Sequence, residues 1–205
     1  MRSLLLLIPL ATLLAQAPVR TAPTAAAVKN YKESGSPNAP ITLEVYTDFQ
    51  CPMCRVFYLD VLPSVLSEYV ASGKVRLVHR DFPLSQHAYT RVAVKYANAA
   101  GQLGIYDLVA NQIFKTQQEW DQNGNIDGEV AKVVPPAQMQ KLRDLVKNDA
   151  RLDDTVTSDM ALANRDRVNQ TPTLIIVSHG KRNKIDGFLP LAILRSYLDQ
   201  LLAKG

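Results

Sequence analysis

Between Ile41 and Arg80 the chain spells a strand, a helix and a second strand in succession, and this order most constrains what it can fold into. Ile41-Thr42-Leu43-Glu44-Val45-Tyr46-Thr47 is rich in β-branched and aromatic residues. From Pro52 to about Ala71, Val56, Leu59, Leu62, Leu66 and Val70 recur at helical spacing. Gly73 stops that helix and Pro63 is expected to kink it. Val75-Arg76-Leu77-Val78-His79-Arg80 is the second strand. Such a βαβ unit predicts a right-handed crossover and a parallel pair of strands.

The only two cysteines of the chain, Cys51 and Cys54, stand where the first strand hands over to the helix, in Phe49-Gln50-Cys51-Pro52-Met53-Cys54. Unpaired N–H groups and the dipole at a helix start favour a thiolate over a thiol. A redox pair is therefore the leading reading. As a structural crosslink it would be inefficient, because so short a loop removes little entropy from the unfolded chain. As a zinc site it is incomplete: two thiolates leave half a tetrahedral shell to His79, His87 and His179, none at ligand-like spacing.

From about Leu84 to Arg167 strand signals vanish and helical periodicity takes over. Helices are predicted at 87–100, 106–116, 127–133, 137–147 and 152–168, punctuated by Gly101, Gly104, Asn123-Gly124 and Pro135-Pro136. Thr173-Leu174-Ile175-Ile176-Val177 restores a strand, a turn follows at 178–183, then a short run at 184–186 and a helix at 189–202. The predicted organisation is thus a two-part α/β domain, 28–83 and 168–205, with an all-helical insertion at 84–167.

Residues 1–27 read as a signal sequence and flexible spacer: Arg2, an apolar run from Leu4 to Ala15, then Ala-, Pro- and Thr-rich sequence. About twelve apolar residues fall short of the roughly twenty that a helical span needs. Export to a periplasmic or other extracytoplasmic compartment is expected, with a membrane-anchored form as the alternative. With 205 residues, 47% of them apolar, one substantial core can form. The net charge of +4 is spread along the chain, which argues against a nucleic-acid partner. The densest basic cluster, Lys181-Arg182-Asn183-Lys184, reads as a solvated hairpin turn.

The order of elements, together with Asn38-Ala39-Pro40, Tyr46-Thr47-Asp48-Phe49-Gln50 before the cysteines, Arg80-Asp81-Phe82-Pro83-Leu84 with His87, and Thr171-Pro172-Thr173, resembles DsbA-type thiol:disulfide oxidoreductases. The resemblance covers about residues 28–204 and implies a thioredoxin-like fold carrying the helical insertion. It implies that Cys51 is the exposed nucleophile and Cys54 the buried resolving partner. Pro172 would be cis and lie against Cys51, leaving the Thr171 backbone to pair with an extended substrate peptide, while Pro52 and Met53 complete the substrate-binding rim. No dissociable cofactor and no metal are implied. The implied partners are thiol-bearing exported proteins and a quinone-linked membrane reoxidant of the DsbB or VKOR type, with the protein itself a monomer. A reductase or isomerase of the same fold, and a non-catalytic binding module or chaperone, are the competing readings.

Three positions qualify the resemblance. Strongly oxidising relatives place His where Met53 stands, and Met53 cannot donate to the Cys51 sulfur, so the thiolate is expected to be favoured less than in a His-bearing site. Many relatives carry Glu at the position of Val45; Glu44, one residue away, faces the other side of its strand and cannot substitute. Gln170 stands where Gly often precedes Thr-Pro. Asp48 is read as capping or orienting the cysteine helix, His87 as capping or packing at the start of the insertion, His79 as a paired strand residue, and Trp120 with Phe114 and Tyr106 as core of the insertion.

Overall fold

A computed structural model describes residues 30–204 of the chain. The predicted signal sequence and spacer lie outside the described residues. Five strands form one sheet in the order β1-β3-β2-β4-β5: β1 Glu33–Ser34, β2 Ile41–Thr47, β3 Val75–Asp81, β4 Thr173–Ser178 and β5 Lys181–Asp186. The β2 and β3 strands pair in parallel, as the βαβ pattern predicts, while β4 joins β2 antiparallel and β1 and β5 close the two edges antiparallel. The two-residue β1 was too short to show a period in the sequence.

Residues alternate along β2. Ile41, Leu43 and Val45 enter the main core, whereas Tyr46 packs on the other face with Phe82, Ala163, Val168 and Ile175. Both faces of the central strands are covered, which is why β2 is buried almost throughout.

The crossover from β2 to β3 is a helical run whose α-turns alternate with π-turns: α1 Pro52–Val56, a π-segment Phe57–Val61, α2 Leu62–Val65 and a second π-segment Leu66–Val70. Pro63 has no N–H to give. It falls within the first turn of a fresh α-segment, where that donor is not required, directly after the wide turn closed by Leu62 N–H on the Phe57 carbonyl.

Between β3 and β4 the chain is helical: α3 Thr90–Gln102, α4 Tyr106–Lys115, α5 Gln117–Trp120, α6 Ile126–Ala131, α7 Pro136–Asn148 and α8 Arg151–Arg165. The single-turn α5 was not predicted. Trp120, Phe114 and Tyr106 are buried in this part, and the Trp120 indole donates to the Ile113 carbonyl at 2.8 Å. The last helix, α9 Leu191–Leu202, packs Leu194 and Leu198 into the core. Among the described residues, no helix is long and apolar enough to cross a membrane.

A buried charge cluster fastens the helical part to the sheet. Lys32 lies between Asp81 of β3 and Asp159 of α8, the latter at 2.8 Å; Arg80 reaches Asp159 at 3.1 Å, and Asn98 of α3 donates to Asp81 at 2.8 Å. Burial alone would lower the Lys32 pKa, but the two carboxylates more than offset it and hold it above its ordinary value.

One sequence expectation is overturned in the sheet. The cluster Lys181-Arg182-Asn183-Lys184 is strand, not turn; the reversal is confined to His179 and Gly180, both with positive φ (49° and 72°), as a tight two-residue hairpin requires. Charged side chains masked the strand because it is an edge, with solvent to receive them. Arg182 is held at 3.0 Å by Glu44 and at 2.6 Å by Asp166.

Candidate active site

The loop between β2 and α1 is held by Asp48, which is fully buried. One carboxylate oxygen accepts the Gln50 N–H at 2.7 Å and the other the Leu84 N–H at 2.7 Å, tying the cysteine loop to the segment that follows β3. Of the two roles read from sequence Asp48 takes the orienting one, since no side chain caps α1. His87 brings Nδ1 to 2.9 Å from the same carboxylate without the alignment of a regular hydrogen bond. His79 pairs with Val45 across β2 and β3, its ring tilted against those of Tyr58 and Tyr106.

Cys51 is the N-cap of α1, with extended backbone (φ −75°, ψ 120°), and its carbonyl accepts the Arg55 N–H at 3.1 Å. Pro52 occupies the first helical turn, where its missing N–H costs nothing. The N–H groups of Met53 and Cys54 therefore have no helical acceptor and face the Cys51 sulfur. Cys54, one turn deeper, is fully buried, and the Asp48 N–H approaches its sulfur at 3.5 Å.

These surroundings split the two thiols. Cys51 is pulled down to about 6, chiefly by hydrogen bonding from the Cys54 thiol and further by the backbone N–H groups of residues 54 and 53, against an opposing effect of burial. Burial pushes Cys54 well above its ordinary value, and proximity to Cys51 adds to it. The pair is thus one thiolate and one thiol at neutral pH, which suits thiol–disulfide exchange.

The Thr171–Pro172 peptide bond is cis, and the Thr171 carbonyl lies 3.3 Å from the Cys51 sulfur, within reach of the thiol proton. Thr171 Oγ1 is buried without a partner. The Pro172 carbonyl accepts the Gly187 N–H at 2.9 Å, so the proline loop is braced by the end of β5. Cys51, Cys54, Thr171 and Pro172 are therefore brought together, with Pro52 exposed at the rim and Met53 half in solvent. Cys51 itself is only 7% exposed, far less open than the sequence suggested, because the proline loop lies against it. Glu44 is committed to Arg182 on the far face and Val45 is packed in the core, so no glutamate faces Cys54 from β2.

Sequence reasoning missed Gln117. From the single-turn α5 its buried amide donates to the Phe49 carbonyl at 2.6 Å and the Cys51 carbonyl at 3.1 Å. Gln50 donates to Asp121 at 2.6 Å and accepts the Tyr89 N–H, while Arg55 donates to the Phe114 carbonyl at 3.1 Å. The helical part thus grips the cysteine loop from several sides. No local pattern in the sequence announces a glutamine that works through tertiary contacts. Among the described residues there is no cluster of three or more His, Cys, Asp or Glu side chains able to hold a metal ion.

A thioredoxin family model, Thioredoxin_4, matches residues 29–192. Disulfide bond formation protein D of Bacillus subtilis (strain 168) is 23% identical over 154 residues, which are 73% of this chain and 68% of that one. Among solved structures, Wolbachia pipientis α-DsbA1 superposes with a TM-score of 0.71 at 22% identity over 84% of this chain and 91% of its own. Oxidised BdbD of Bacillus subtilis gives 0.69 at 21% identity over 85% and 93%.

Proposed function

The chain belongs to the thioredoxin family, in its DsbA-like branch of thiol:disulfide oxidoreductases, and from that premise we propose that it is an exported oxidase whose Cys51–Cys54 pair introduces disulfides into extracytoplasmic proteins. A substrate thiolate attacks the Cys51 sulfur of the oxidised protein. The Cys51–Cys54 bond breaks, Cys54 leaves with its electron pair, and its raised pKa makes it take up a proton. A second substrate thiolate then attacks the substrate sulfur of the mixed disulfide, and Cys51 departs as a thiolate. Two electrons pass to the protein and one disulfide to the substrate. With a pKa of about 6, Cys51 is a good leaving group in this last step.

The Thr171 backbone would receive the substrate as an added extended segment beside Cys51, with Pro52 and Met53 at its rim. The apolar run Leu4 to Ala15 supports export as a signal sequence, and an exported oxidase needs a reoxidant, for which a quinone-linked membrane protein of the DsbB or VKOR type is the natural electron acceptor. The protein is proposed to act as a monomer without a dissociable cofactor.

The observation that carries this reading is the placement of Cys51 at the start of α1 beside the cis Thr171–Pro172 bond, with Cys54 fully buried one turn deeper. It is tested by the reduction potential of the pair in glutathione buffers, scored by thiol alkylation and mass. A value near about −120 to −180 mV supports an oxidase, and one near about −270 mV overturns it in favour of a reductase.

A further inference from the structure

Beside the proline loop opens a cleft of about 680 Å³. It is lined on one side by Phe82, Pro83 and Leu84, just after β3, with Met160 of α8, and on the other by the uncharged polar residues Ser85, Gln86, Asn169, Gln170 and Thr171; among the described residues its only charged lining residue is Arg91 of α3. Since the Thr171 carbonyl lies 3.3 Å from the Cys51 sulfur, a chain held at Thr171 with its cysteine on Cys51 places a neighbouring side chain over this cleft.

Arg91 is exposed and, among the described residues, forms no ion pair or side-chain hydrogen bond. The other described arginines, except Arg167, are engaged: Arg55 with a carbonyl, and Arg76, Arg80, Arg143, Arg151, Arg165, Arg182 and Arg195 with carboxylates. Arg167 does not line the cleft. Nor does any carboxylate; Asp48 lies buried behind Leu84, occupied by two backbone N–H groups and His87. Among the described residues the cleft therefore offers one uncompensated guanidinium beside a mixed apolar and uncharged polar lining.

We infer that Arg91 is a specificity-determining residue that selects substrate segments with an acidic side chain next to the reacting cysteine, an inference that rests on the thiol-exchange reading above. The stem of a glutamate or aspartate packs on the Leu84 and Met160 side of the cleft while its carboxylate meets Arg91, and a lysine at the same place is repelled. A cleft-rim ion pair at the surface is worth a few-fold in rate, and it weakens with salt.

The test compares three two-cysteine peptides that differ only in having Glu, Gln or Lys beside the first cysteine. Second-order rates are measured for oxidation of the dithiol peptides by the oxidised protein, and for reduction of the cyclised peptides by the dithiol protein. The intrinsic effect of the neighbour on thiol reactivity cancels when the Glu-to-Lys rate ratio of each variant is divided by that of wild type. Arg91→Gln should lower the ratio by about five-fold and Arg91→Glu by more, the difference shrinking in half-molar salt, whereas Arg167→Glu should leave it unchanged. Equal ratios in wild type and both Arg91 variants overturn the inference. An Arg91-dependent ratio seen only in the reducing direction upholds it and overturns the oxidase reading instead. Absence of exchange in either direction overturns both.

Discussion

Replacing Cys54 by alanine removes the leading hydrogen-bond donor to the Cys51 sulfur while keeping a small apolar residue in a fully buried site. With Cys51 near 6 in the wild type, about 90% of it is thiolate at pH 7, against about 3% for a free cysteine near 8.5. The backbone N–H groups at positions 53 and 54 survive the substitution, so the midpoint should rise only part of the way, to between about 7 and 8. Cys54→Ser, which retains an O–H donor, should stay close to wild type. The assay is alkylation of the reduced protein as a function of pH, with thiolate absorbance at 240 nm as a second readout. Midpoints and not plateau rates are compared, because a thiolate of higher pKa is intrinsically more nucleophilic and masks the loss. A Cys54→Ala midpoint equal to wild type would refute the assignment of the low Cys51 pKa to its partner thiol.

Gln117→Ala leaves the Phe49 carbonyl without its donor and should cost about 1–3 kcal/mol in urea unfolding; a change within experimental error would mean that the loop holds itself. Asp159→Ala leaves buried Lys32 with Asp81 alone and half-buried Arg80 with Glu44 at 3.8 Å, and should destabilise by roughly 3 kcal/mol by the same measurement, whereas a near-neutral result would show that the remaining carboxylates suffice. Burial, with Lys32 adding to it, lowers His79 to about 4. The unfolded chain thus takes up a proton below about pH 6.5 that the folded protein refuses. Stability from this residue is complete above pH 6.5 and is lost as pH falls to about 4, at about 1.4 kcal/mol per pH unit. Unfolding titrations of His79→Asn over that window should show a flatter dependence, and an unchanged slope would count against a neutral buried imidazole.

What was legible in the sequence followed strong local periods. The β2–helix–β3 run, the helical character of 84–167 and the cysteine pair at the helix start all rest on short-range patterns, and each reappears in the structure. The alternation that puts Val45 in the core and Glu44 on the opposite face was readable for the same reason, strand periodicity being local. What escaped depends on neighbours remote in sequence. The two residues of β1 exist as a strand only because β3 offers an edge. The charged β5 pairs with β4 despite a composition that reads as turn. Gln117 acquires its place only when α5 meets the cysteine loop, and Cys51 is hidden by a segment 120 positions away.

The charged strand β5 has a further consequence. Any open sheet edge is a template for stray extended chains, and a protein proposed to hold unfolded polypeptides by strand pairing meets such chains constantly. Lys181, Arg182, Lys184 and Asp186 leave its rim charged and exposed along almost its whole length, an arrangement that discourages edge-to-edge growth. Under the proposed function, capture of unfolded chains would thereby be left to the short backbone segment at Thr171, and the same sheet would both recruit its clients and avoid co-aggregating with them.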